Sequence, residues 1–224
     1  MVKSVSPRPA DPAIRPALIE TAARILATDG PNALSTRRLA AEAGTSTMAV
    51  YTHFGSMDEL RRAIRAEGFA RLADTLDALP RTGDAVADLA AGGLTYLASG
   101  LASPEMYRAM FTDRPPAGDD DAGAGIFERL VGDVERCLAA GRFQAAGPSS
   151  SRLWAGEIWT MRHGMVTLAF TGLLPMQQVR FLLADMTYRL AVGYGDAPAA
   201  ARRSVDEGMP SQAGQGPGTP PAEP

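Results

Sequence analysis

The residues able to do covalent chemistry are few and scattered. His53, His163 and Cys137 stand far apart in a chain of 224 residues. That spacing offers neither a metal-ligand cluster nor a nucleophile beside a base, so no metal and no cofactor is expected. No glycine-rich phosphate loop occurs, and the run Asp119-Asp120-Asp121 lies between prolines and glycines as a solvated loop would. What remains is the chemistry of recognition. Arg37 and Arg38 fall in the first turn of a short helical stretch, where positive charge opposes the helix dipole at roughly 0.3–1 kcal/mol each. Contact with an anion would account for that placement; two solvated arginines are the plainer alternative. Ser46, Thr47, Ala49 and Thr52 follow, small and uncharged, together with the polar-tipped rings of Tyr51 and His53. A helix carrying such a set can sit deep in a DNA major groove and read bases through hydroxyl and methyl contacts, with Arg37 supplying the stronger donor. A second group is apolar: Met106, Tyr107, Met110 and Phe111 in one segment, Trp154, Trp159 and His163 in another. Methionines and aromatics make adaptable ligand linings, and equally they make ordinary cores.

The elements that must hold these residues are helices. Alanine and leucine dominate, β-branched residues are sparse, and no stretch alternates with period two long enough for a sheet. Ile14, Leu18, Ala22 and Ile25 recur at helical spacing after a cap and proline at Asp11-Pro12, and Gly30-Pro31 stops that helix. Ser35 or Thr36 caps a second helix ending at Ala43-Gly44, and a third runs from about Thr47 to His53. Ser56 and Glu59 form a capping box that opens a long fourth helix, closed by Pro80. Further helices are expected at 84–99, 104–111, 123–140, 149–171 and 175–194, making about nine. Leu39, Ala43, Val50 and Phe54 can face one another across the turn at Gly44, leaving the groove-reading set outside.

Four regions follow: a flexible arm at 1–10, a helix-turn-helix head at 11–56, a helical body at 57–196 and a disordered tail at 197–224. The tail holds six prolines and four glycines and no Phe, Leu, Ile, Tyr or Trp, too little apolar surface to offset ordering entropy. Net charge is −3, yet residues 1–65 carry nine basic and six acidic side chains, a balance of +3, against 13 basic and 19 acidic beyond, −6. A basic head on an acidic body suits a protein whose head alone meets phosphates. No apolar run approaches the ~20 residues of a membrane helix, and the first 30 residues lack the apolar core of a signal peptide. With a single cysteine, a cytoplasmic location is expected and no membrane partner.

The stretch Leu34–Leu60, LSTRRLAAEAGTSTMAVYTHFGSMDEL, with the apolar helix before it, resembles the TetR family of repressors over about residues 13–65. Trp159 to Val166, with His163-Gly164 at its centre, resembles the Trp-His-Gly signature of one class of TetR C-terminal domain. The resemblance implies an all-α fold: an N-terminal three-helix helix-turn-helix head, joined by a long helix to a ligand-binding and dimerisation domain. It implies that Thr36 and Arg37 reach bases or phosphates, that Thr47 and Ala49 face the groove, and that Tyr51 and His53 touch phosphate. Met57 stands where the family often has a phosphate-contacting lysine. The partners implied are a palindromic operator in double-stranded DNA, a small apolar effector and a second copy of the chain, paired through the last two body helices. Repression relieved by ligand is the expected function; a ligand-binding or activator protein of the same fold without repressor activity is the alternative. Gly68, inside the fourth helix, marks either close packing or a bend point in the switch.

Overall fold

The computed structural model describes residues 13–112, 121–145 and 147–210, and every regular element among them is helical. Ten α-helices follow in order: α1 (Ile14–Asp29), α2 (Thr36–Glu42), α3 (Thr47–Phe54), α4 (Met57–Asp77), α5 (Ala85–Ala102), α6 (Pro104–Thr112), α7 (Ala124–Ala139), α8 (Ser150–Phe170), α9 (Met176–Gly193) and α10 (Pro198–Gly208). The expected arm at 1–10 and the expected cap at Asp11-Pro12 lie outside the described residues. Serine starts three of the first four helices by the same device. The hydroxyls of Ser35, Ser46 and Ser56 accept from the amides of Arg38, Ala49 and Glu59 at 3.3, 3.1 and 3.1 Å, each satisfying a donor that the first turn leaves open. Gly44 turns the chain between α2 and α3 at φ +65°, a conformation that a side chain would strain.

Contacts divide the chain into two compact units. The first holds residues 1–78 and 96–129, the second 79–95 and 130–224. The boundary therefore differs from the expected head and body, because α4 and α6 cluster with the head: α6 packs along α1 and against α4. In this unit Leu18, Ile19 and Ile25 of α1, Leu39 of α2, Val50 and Phe54 of α3, and Leu60 and Ile64 of α4 are buried. Each large side chain so removed from water contributes about 1.5–3 kcal/mol. The guanidinium of Arg65 on α4 donates to the carbonyl of Met110 near the end of α6.

In the second unit Val86, Leu89, Val134, Val166, Val179 and Leu183 form the apolar core. The disorder expected from residue 197 does not hold over 197–210. There Pro198 opens α10, and Ala201, Ser204, Val205 and Met209 are buried. The tail's average composition hides this helix, whose apolar stripe is only Ala201, Val205 and Met209, at i, i+4 and i+8. Polar bonds complete it: Arg142 grips Asp196 bidentately at 2.8 and 2.7 Å, reaches Asp84 at 3.0 Å and donates to the Ser204 hydroxyl at 2.9 Å. Asp84 in turn accepts from the amides of Val86 and Ala87 at the start of α5. Residues 211–224 of the expected tail lie outside the described residues.

Among the described residues α5 is the one helix long and apolar enough to cross a membrane, with a mean hydropathy of 1.3, and 56% of it is buried inside the protein. A core helix meets the same test.

Candidate nucleic-acid interface and ligand cavity

The first site is the outer face of α2 and α3. Val50 and Phe54, four apart, point inward with Leu39 and Ala40, so helical periodicity turns Thr47, Met48, Tyr51 and Thr52 outward. All four are exposed; Ala49 and His53 flank them half-buried. The two adjacent arginines separate cleanly. Arg38 is held by Asp29 at 2.5 Å and by Glu42 at 2.7 Å, and Glu42 also accepts from Arg24 at 2.9 Å. These bonds, to Glu42 first and then to Asp29, raise the guanidinium's pKa. Arg38 thus ties α2 to the end of α1. Arg37 is exposed and has neither an ion pair nor a side-chain hydrogen bond among the described residues, which leaves its donors for an outside partner.

The other residues expected here take defined positions. Thr36 is half-buried in the first turn of α2, with Ser35 rather than Thr36 acting as the cap. The Ser46 hydroxyl caps α3, and the Thr52 hydroxyl donates to the Met48 carbonyl at 2.8 Å. Ser46 and Thr52 are therefore partly committed to the helix itself, although both remain exposed. Met48 is the residue that the sequence reading passed over. It is 72% exposed on the outer face of α3. The signal was available in the i, i+4 pair Val50 and Phe54, which forces Met48 outward.

The second site is a cavity of about 390 Å³ within the first unit, between α4, the end of α5, and α6. Gly68, Leu72 and Thr75 of α4 and Met106, Tyr107 and Met110 of α6 form two of its walls. Ser99 and Ser103 bring hydroxyls from the third side, and Arg71 stands among the lining residues with Glu20 and Glu67 as its ion-pair partners. Tyr107 meets the Tyr96 phenol at 2.9 Å, and burial raises its pKa far above the usual range. Gly68 is glycine because α6 lies against it. A Cβ there would stand 2.5 Å from Met110 Cγ and 2.6 Å from its sulfur.

Of the seven residues expected to line one ligand site, the structure brings Met106, Tyr107 and Met110 to this cavity. Phe111 packs edge-on to Phe69 at 5.5 Å and against Tyr107 at 4.8 Å. Trp154, Trp159 and His163 belong to the second unit. There Trp154 stacks on Tyr194 at 4.4 Å and meets Phe143 edge-on, an aromatic core. Trp159 and His163 are half-buried, and burial lowers the His163 pKa, so its imidazole is neutral at pH 7. Arg162, buried beside them, donates to the Leu89 carbonyl at 2.7 Å in space that Gly93 leaves open. The expectation of one joint pocket fails because residues 50 apart in the chain fall into different cores. Gly68, Leu72, Thr75, Ser99 and Ser103, which do line the cavity, lie on separate helices with no shared motif.

Comparison with known proteins follows the same division. The model of bacterial regulatory proteins of the tetR family matches residues 18–64, and that of the tetracyclin repressor-like C-terminal domain matches residues 89–192. An uncharacterized HTH-type transcriptional regulator of Mycobacterium tuberculosis is 30% identical over 198 residues, 86% of this chain and 85% of its own length. A solved protein of unknown function from Rhodococcus sp. RHA1 superposes with a TM-score of 0.70 at 28% identity, over 85% of this chain and 100% of that one. RolR in complex with its ligand resorcinol shares the fold at 17% identity, TM-score 0.60, over 89% of this chain and 96% of that one.

Proposed function

The chain belongs to the TetR family of bacterial transcriptional regulators, DNA-binding proteins with a helix-turn-helix, and from that premise we propose that it is a homodimeric repressor released from a palindromic operator by a small, largely apolar ligand. The observation that carries the reading is the outer face of α3, where Thr47, Met48, Tyr51 and Thr52 are exposed beside the unpaired Arg37. Serine caps and buried apolar residues hold this face rigid, as direct base readout requires. Arg37 donates to a guanine edge or a nearby phosphate, Thr47 and Met48 contact base edges, and Tyr51 and His53 reach the backbone on either side. At the start of α4, where Met57 replaces a lysine, the open amides of the first turn hold phosphate instead.

Pairing of two chains through α8 and α9 is supported by large apolar side chains left exposed there: Leu153 and Leu168 on α8, Phe181 and Met186 on α9, and Leu173 between them. Two copies place two heads on two half-sites about one helical turn apart, so the operator mirrors the protein's twofold axis.

Ligand release uses the cavity. Its α6 wall lies against α1 and α4, and α1 and α4 frame the helix-turn-helix. A ligand between Met106, Met110 and Leu72 displaces α6 and with it the setting of the heads. The coupling is reciprocal, so operator DNA weakens ligand binding by the same factor.

Binding-site selection from random duplexes tests the reading, with Arg37→Ala in parallel. The expected result is an enriched palindrome, with about 1–3 kcal/mol of affinity lost in the variant and one position relaxed. Only weak, salt-sensitive binding without enrichment would remove this face as a sequence reader.

A further inference from the structure

We infer that the cavity takes an uncharged, largely apolar ligand bearing one polar group, and turns away the matching carboxylate and ammonium. This deepens the reading above and rests on the cavity being the sensor site. At about 390 Å³ the space equals the share of roughly 13 water molecules at ~30 Å³ each, room for a bicyclic ring system. Its walls are thioether, aliphatic and phenyl surface from Met106, Met110, Leu72 and Tyr107. Such walls suit a flat or flexible hydrocarbon body, and methionine sulfur suits an aromatic one.

The polar complement selects the ligand's charge. Arg71 is the one charged side chain among the described lining residues. Its Nη1 is taken by Glu20 and its Nε by Glu67 at 2.9 Å, so two carboxylates stand behind one guanidinium. An incoming carboxylate finds the donors engaged and the field cancelled. An incoming ammonium meets the guanidinium face first and loses its hydration without a counter-ion at the wall. A hydroxyl, carbonyl or amide does better. Ser99 and Ser103 carry hydroxyls without a side-chain hydrogen bond among the described residues, and Thr75 Oγ1, donating to the Arg71 carbonyl at 2.7 Å, keeps its acceptor side free.

The test titrates the full chain by calorimetry with 2-naphthylmethanol, 2-naphthoate and 2-naphthylmethylammonium, which share one ring system and differ in one group. The alcohol binds, and the two ions bind at least about tenfold more weakly. The surface variant Glu20→Gln/Glu67→Gln frees Arg71 and strengthens 2-naphthoate by about tenfold, leaving the alcohol within a few-fold. Ser99→Phe, with folding followed by circular dichroism, fills the space and abolishes alcohol binding. A wild-type preference for 2-naphthoate, no gain in the double variant, or alcohol binding that survives Ser99→Phe in a folded protein would overturn this inference alone. If none of the three compounds binds, the cavity falls as a sensor site together with the inference.

Discussion

Single residues do opposite work at neighbouring positions. Arg37 and Arg38 have the same chemistry and adjacent backbone, yet Asp29 and Glu42 claim only Arg38. Exposed ion pairs of this kind contribute little to stability, so Arg38→Ala mainly loosens the seating of α2, whereas Arg37→Ala removes a DNA contact. Met48 adds an apolar tip suited to a thymine methyl. Met48→Ala is expected to cost operator affinity about 1 kcal/mol and to relax one base position, read by competition with single-base operator variants. Asp84 sets a pH limit. Burial works against its carboxylate, but the Ser204 hydroxyl, the Ala87 amide and Arg142 outweigh that and hold its pKa below the ordinary 3.8. As pH falls the unfolded chain takes up this proton first, so the stabilisation is present above about 3.8 and disappears below it. Denaturant melts between pH 5 and 2 should steepen in the wild type and flatten in Asp84→Asn; equal slopes would sink the assignment.

At the scale of elements, two glycines mark where one helix lies hard against another. Gly68 was read as close packing or a bend point, and the nearness of Met110 to its missing Cβ supports packing. Gly68→Ala gains about 1 kcal/mol of helix propensity against an overpacking cost of about 1–3 kcal/mol. The expected net effect on a chemical melt is therefore small, while Met110 is driven into the cavity and ligand affinity falls. Unchanged ligand affinity would mean that the methionine relaxes elsewhere. Gly208 is less forgiving, since its Cβ would lie 2.2 Å from the Ala87 carbonyl and 2.9 Å from Ala90 Cβ. Gly208→Ala should lift the end of α10, expose Val205 and Met209, cost about 1–3 kcal/mol and open the segment to proteolysis. A variant as protease-resistant as the wild type would show that α10 can shift as a unit.

For the whole molecule, the decisive quantity is assembly. Leu173 and Phe181 are 72% and 70% exposed, unusual for side chains of that size unless a second surface covers them. Phe181→Glu is expected to shift sedimentation from dimer to monomer and to abolish operator binding, because one head holds only half a palindrome. A dimer that persists would move the interface elsewhere. Cys137 plays no part in such assembly; it is buried, and burial first of all pushes its thiol up to about 12.

Much of this was legible in the residues themselves. Local rules sufficed for the head: serine caps, Gly44 at the turn and the i, i+4 pair Val50 and Phe54 act within a few residues of one another, so helix bounds and the outward face follow from spacing. The interruptions at Gly30-Pro31, Pro104 and Pro175 likewise set the order of helices without any tertiary contact. Three matters waited for the fold, each because it depends on partners distant in the chain. The cavity joins residues from 68 to 110 on three helices, which no local pattern links to one another or separates from Trp154 and His163. Arg37 and Arg38 are distinguished only by Asp29, brought alongside when α1 and α2 pack. And α10, too poor in apolar surface to order alone, is a helix because Arg142, Asp84 and Asp196 lie where Ser204 can complete their hydrogen bonds, a constellation spanning 120 residues that folding assembles.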